Sequence, residues 1–108
     1  MGKGKDTVLV SEEIEHVECY LGIQRLRLYS QFQVHIEVEE SIKHFRVPKI
    51  ILQPIVENSI LHGFAENSNE GKITIECLKE GERIVFIITD NGCGMEHETK
   101  DVVETFDN

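Results

Sequence analysis

Two short stretches carry residue types that could do chemistry. In the first, LQPIVENSILHG (residues 52–63), Asn58 and His62 stand four positions apart. On a helix that spacing puts them on one stripe. By helical angle the stripe is expected to flank the apolar face, with Glu57 pointing elsewhere. The amide oxygen of an asparagine suits a hard cation such as Mg²⁺, which keeps most of its own waters. On this helix alone, the same two residues read more simply as ordinary boundary positions. The second stretch, IVFIITDNGCGM (84–95), ends an apolar run in Asp90, Asn91, Gly92, Cys93 and Gly94. Asn-Gly after a strand is a strong hairpin signal. The residues that follow, EHETKDVVETFDN, do not read as a returning strand. A buried strand ending in Gly-x-Gly brings backbone close to something. Asp90 is placed to accept a hydrogen bond from a ligand donor, for which the amino group of a purine would serve. Taken alone, Asp-x-Gly-x-Gly is unspecific, and it is neither a Walker loop nor a dinucleotide fingerprint. Cys93, between the two glycines, reads either as a small residue filling a turn or as a thiol open to alkylation.

The elements that must position these residues are legible from periodicity. Ser11 followed by Glu12 and Glu13 reads as a capped helix start, with acids where the dipole favours them. Ile14, Val17, Leu21, Gln24 and Leu28 continue at helical spacing, and Arg25 and Arg27 suit the C-terminal end, so a helix is expected over 11–29. FQVHIEVE (32–39) alternates strictly and predicts a half-buried strand. Residues 40–47 form a polar connection ending in extended FRV. Pro48 suits a first helical turn. A second helix follows, its apolar face made by Leu52, Ile55, Val56 and Ile60 and its end capped by Gly63. Pro54 is tolerated there if the first turn starts near Ile51. After a polar loop, GKITIECLK and RIVFIITD predict a hairpin turned at EGE. The second strand, apolar almost throughout, is expected to be central. Residues 96–106 read as a short helix. This order predicts an α+β fold, a two-layer α/β sandwich with helices on one face of a mixed, mainly antiparallel sheet.

Composition narrows the function classes. The chain has 108 residues, enough for one domain, and 40% are hydrophobic. Its formal charge of −9 disfavours nucleic acid and anionic membrane as partners, because affinity there comes from Lys and Arg. It does not exclude a nucleotide, whose phosphates can be held by backbone N–H groups and a divalent cation. The cysteines, Cys19, Cys77 and Cys93, are odd in number and widely spaced. That argues against zinc and against a disulfide framework, and fits a reducing compartment. No apolar run reaches transmembrane length and no signal peptide opens the chain. Residues 1–10 read as a polar leader and linker, and 11–108 as the domain.

Taken together the two stretches are far more specific than either alone. LQPIVENSILHG followed by a hairpin ending in DNGCGM resembles the N box and G1 box of the GHKL superfamily, the Bergerat-fold ATP-binding domains of histidine kinases, gyrase-type ATPases and certain chaperones. With VSEEIEHVECYLGIQRLR before them and GKITI between, they are similar to the LytS/YesM-type sensor histidine kinases. The likeness runs from about Asp6 to Met95. It implies an N box at 51–63 and a G1 box at 90–95. It implies that Asn58 coordinates the Mg²⁺ bridging the phosphates of ATP and that Asp90 takes the adenine amino group. Gly92 and Gly94 let backbone pass beside the base, and Glu57 and His62 lie near the phosphates. Partners implied are ATP or ADP, a dimerisation domain bearing the phosphoacceptor histidine, and a response regulator. The implied setting is the cytoplasmic part of an integral membrane receptor.

Departures from that family pattern also carry information. Where GHKL ATPases place a water-activating glutamate, four positions before the asparagine, this chain has Pro54, which favours a kinase over a hydrolase. It also argues against the anti-sigma serine kinases, which keep that glutamate. A lysine common three positions after the asparagine is Leu61 here, so one phosphate-neutralising charge is missing. Nothing matches an NPHFLFN-like phosphoacceptor motif, and His16 reads as a solvated histidine. The G2 box and last strands have no counterpart before residue 108. The expectation is a fragment of a larger kinase, inactive in autophosphorylation by itself. Its uncovered sheet edge is expected to promote self-association. The alternative is a nucleotide-binding or self-associating module without catalysis.

Overall fold

A computed structural model describes residues 7–28, 32–49, 52–63, 71–91 and 97–104. The elements in chain order are β1 (Thr7–Leu9), α1 (Val10–Leu28), β2 (Gln33–Val38), β3 (Arg46–Pro48), α2 (Gln53–Gly63), β4 (Lys72–Glu80), β5 (Arg83–Asp90) and β6 (His97–Glu104), with a 3₁₀ turn at Glu40–Ile42 before β3.

The main sheet has the order β2-β4-β5-β6. Its β2–β4 pair is parallel, and the other two pairs are antiparallel. The mixed, mainly antiparallel sheet expected from the pattern is therefore present, and β5 is central. A parallel pair needs a long crossover, and α2 lies within the one that joins β2 to β4. The β4–β5 hairpin closes on Glu80 opposite Arg83. Its two-residue turn starts at Gly81 with φ +64°, a conformation that costs glycine little and other residues more.

One face of the sheet makes the core. Ile73, Ile75 and Cys77 of β4 and Ile84, Phe86 and Ile88 of β5 pack with Val17 and Leu21 of α1 and Leu52, Val56 and Ile60 of α2. Each such aliphatic side chain removed from water contributes about 1.5–3 kcal/mol. Val34, Ile36 and Val38 add a half-buried margin, while Gln33, His35 and Glu37 between them are exposed. The predicted alternation of β2 thus sorts inside from outside.

Several expectations are corrected. Residues 7–9, read as linker, form β1 and pair antiparallel with β3. Pro48 does not open a helix; it ends β3 opposite Thr7. Ser11 does not cap α1, which starts at Val10. The first two N–H groups of α1 are satisfied from outside: Val10 donates to the Phe45 carbonyl at 2.9 Å and Ser11 to that of Lys43 at 3.3 Å. Glu12 reaches back to the Leu9 N–H at 2.9 Å, one half of a capping box. The N–H groups of Leu9, Val10 and Ser11 are thus held without a serine cap.

The largest correction concerns the C-terminal segment. Residues 97–104 are not helical; they form β6, paired with β5 from Asp90 opposite His97 to Arg83 opposite Glu104. A strand does return, after the connecting residues 91–96. With β6 paired to β5, the edges among the described residues are β2 and β6. Its sequence hid it because Glu98, Thr99 and Lys100 are all exposed. Over those three residues there is no apolar alternation to read, and backbone pairing with β5 defines the strand.

Candidate functional site

The second helix brings its polar residues to the surface. Its core stripe is Leu52, Val56 and Ile60, each at most 3% exposed. Asn58 lies two residues beyond Val56, about 200° round the helix at 3.6 residues per turn, and is exposed. It therefore faces away from the core instead of flanking it. An amide that meets a hydrated cation needs that exposure. Glu57 is also exposed, but its Oε2 accepts from Gln53 Nε2 at 2.8 Å. It also lies near α1: burial and then the Glu57 charge push the Tyr20 hydroxyl above its usual pKa, against a smaller lowering by Arg27. Glu57 thus belongs to the flank that α2 shares with α1. His62 is part of α2, its side chain outside the described residues. Pro54 occupies the second position of α2, where a missing N–H leaves no helical bond unmade.

Asp90 ends β5 on the face the helices cover. Phe86 and Ile88 precede it on that face in the core, strand alternation continues to Asp90, and its cross-strand partner is buried Ile73. Asp90 itself is only 7% exposed. A carboxylate oxygen here can accept a hydrogen bond from a donor that reaches this strand end. α2 packs against β5, so Asn58 and Asp90 stand on neighbouring elements. Gly92, Cys93 and Gly94 lie outside the described residues. A cleft of about 90 Å³ beside Asp90, lined by Lys72, Thr74, Thr89 and Asn91, is far below the roughly 300–1,000 Å³ of ligand pockets. It is not the nucleotide pocket.

Two positioning contacts escaped the sequence reading. Asn91 extends the β4–β5 ladder by donating to the Lys72 carbonyl at 3.2 Å, and its Oδ1 accepts from the Lys72 N–H at 2.8 Å. This clamps the chain where it leaves β5. Glu13, read only as an acid suited to a helix start, is 2% exposed. Its Oε2 accepts from the Leu52 N–H at 2.9 Å. Neither could be found from local pattern, since one partner is 19 and the other 39 residues away.

Residues 43–108 match the family profile of the histidine kinase-, DNA gyrase B- and HSP90-like ATPases. The chain belongs to this family. Among relatives, it is 38% identical over 84 residues to the sensor histidine kinase BtsS of Escherichia coli (strain K12), covering 78% of this chain and 15% of that one. It is 34% identical over 91 residues to the sensor protein LytS of Oceanobacillus iheyensis, covering 84% and 16%. The catalytic domain of histidine kinase ThkA superposes with a TM-score of 0.58 at 17% identity, over 80% of this chain and 57% of that one. ThkA has also been solved in complex with the response regulator protein TrrA, with a TM-score of 0.51 at 14% identity over 78% and 25%. At those identities the structural likeness establishes the histidine kinase ATPase fold. The chain spans about 15% of the length of the first of these curated relatives. Membership of the ATPase family implies ATP as its ligand, and the relatives are sensor histidine kinases.

Proposed function

We propose that this domain binds Mg²⁺–ATP, with Asp90 accepting from the adenine amino group and Asn58 providing one oxygen to the cation. The observation that carries this reading is the pairing of a buried acceptor at the end of β5 with an exposed amide on the helix packed against it. The donor set fits both groups. A carboxyl shielded from water discriminates for a donor, and an amide oxygen can replace one water on an octahedral hard cation. Asn58 would hold the cation through its amide oxygen, and the cation would neutralise phosphate charge. The resemblance assigns Gly92 and Gly94 to clearance beside the base and Glu57 and His62 to the neighbourhood of the phosphates.

The relatives support a wider role. In a sensor histidine kinase, ATP supplies the γ-phosphoryl group, which passes to a histidine on a dimerisation helix and then to an aspartate of a response regulator. Such a domain works chiefly by positioning. Pro54 supports transfer over hydrolysis, because its side chain cannot take a proton from water. None of the five histidines sits in an NPHFLFN-like motif, and none of them is assigned the acceptor role. Among the described residues no helix is long and apolar enough to cross a membrane. The domain is assigned to the cytoplasmic side of a membrane receptor, where ATP is found.

Calorimetry with ATP and ADP, with and without Mg²⁺, tests the reading. Asp90→Asn should abolish binding under both conditions. Asn58→Ala should remove only the gain that Mg²⁺ provides. Micromolar ATP binding unaffected by Asp90→Asn would overturn the assignment.

A further inference from the structure

Among the described residues three polar side chains are buried, Glu13, Gln24 and Asp90. Asp90 is already placed at the site, and Glu13, the most buried, lies on the other helix. Helix α2 leaves its first N–H groups without partners in the helix itself. A residue such as Ser, Thr, Asp or Asn before the first turn ordinarily supplies a local oxygen. Here that position is Leu52, whose carbonyl accepts the first helical bonds from Ile55 and Val56 at 3.1 and 3.2 Å. Its side chain is fully buried in the core and has no oxygen to offer. The Leu52 N–H donates instead to Glu13 of α1 at 2.9 Å. An acidic group is also what the positive end of a helix dipole favours. So α2 is capped from another helix, 39 residues away in sequence.

The consequence reaches Asn58. It stands six residues beyond Leu52, about 9 Å along the axis at 1.5 Å per residue. Being exposed, it is positioned by its helix backbone instead of by packing of its own side chain. Whatever fixes the first turn of α2 therefore fixes where that amide sits. We propose that Glu13 is a positioning residue for the nucleotide site: from α1 it holds the start of α2, and through that helix it sets where the Asn58 amide meets the cation. The proposal rests on the Asn58 reading above for its last step, but the holding of α2 stands apart from it.

The test uses the whole chain and two readouts. Amide hydrogen exchange reads the holding alone. In Glu13→Ala, amides of α2 should exchange on the order of ten-fold faster, with the β4–β5 hairpin unchanged. Unchanged α2 protection, or equal loss in α2 and the hairpin, overturns the proposal. Binding reads the positioning. The Mg²⁺-dependent gain in ATP affinity should fall on the order of ten-fold, while adenosine, which reaches Asp90 but not Asn58, binds as before. Glu13→Gln, whose amide oxygen can still accept the Leu52 N–H, should recover most of the gain. Parallel loss of adenosine and Mg²⁺–ATP marks a merely structural residue and overturns the proposal. If ATP binding in the unaltered chain ignores Asn58→Ala, the site reading falls with the positioning step, and exchange alone decides whether Glu13 holds α2. Should Glu13→Ala not fold, Glu13→Asp, one methylene short of its reach, takes its place in both readouts.

Discussion

At the scale of single residues, burial separates groups that sequence treats alike. Cys19 is exposed and Cys77 buried. Burial pushes the Cys77 thiol up to about 12, so at pH 8 it carries no thiolate, the form that reacts. Peptide mapping after iodoacetamide at pH 8 should find Cys19 modified and Cys77 intact until the protein is unfolded; early modification of Cys77 would show the core opening locally. Asn91 offers a second case. Asn91→Ala removes the acceptor for the Lys72 N–H and should cost about 1 kcal/mol, read as a lower urea midpoint. What sequence conveys at this scale is residue type. Asn58 and Asp90 stood out as candidates because the two stretches that hold them, read together, resemble the N box and G1 box. Glu13 and Asn91 did not, because their roles are defined by partners distant in sequence. The orientation of Asn58 was not legible either: it is exposed, two residues beyond buried Val56.

At the scale of elements, periodicity succeeded where one face is dry. α1, β2 and β4 each bury one side, β5 is apolar on nearly every position, and their bounds fall within one or two residues of expectation. β6 failed the same reading because it is wet over Glu98, Thr99 and Lys100, and β3 because three residues are too few for a period. The joint between β2 and β4 holds an element-scale prediction. Glu39 follows β2, its Oε1 accepting from the Lys79 N–H at 3.0 Å and its Oε2 from the Ser41 hydroxyl at 2.5 Å. Those bonds, Ser41 first and Lys79 second, hold its carboxyl below the usual 4.5 despite opposing desolvation. A depressed folded-state value means the unfolded chain binds the proton more readily. The contribution is therefore complete above about pH 4.5 and is lost as pH falls through the lower folded value. Urea midpoints measured from pH 6 to pH 3 should fall less steeply in Glu39→Gln than in the parent chain. Equal slopes would remove Glu39 from the acid response.

For the whole molecule, charge and edge chemistry decide how copies meet. A two-layer fold with an open sheet has two edges, and unpaired edge backbone is the usual route to association. Here the β2 edge carries exposed Gln33, His35 and Glu37, with His35 Nε2 3.2 Å from Glu37 Oε2. The β6 edge carries exposed Glu98 and Lys100. Pairing two copies along either edge would crowd charged side chains, and the formal charge of −9 adds repulsion between molecules. The self-association expected from an uncovered sheet edge is therefore opposed by charge at both edges of the described sheet. What remains is repulsion that vanishes near the isoelectric point of about 4.9. Light scattering should find a single monomeric species at pH 7.5, including at low salt where repulsion is least screened. It should find growing mass as pH approaches 5. A concentration-dependent dimer at pH 7.5 that persists at low salt would mean that an edge, or the exposed Ile23 and Leu26 of α1, supplies an attraction stronger than the charge. Charge reversal at Glu37→Lys would then separate the two sources, since it alters the β2 edge and leaves α1 untouched.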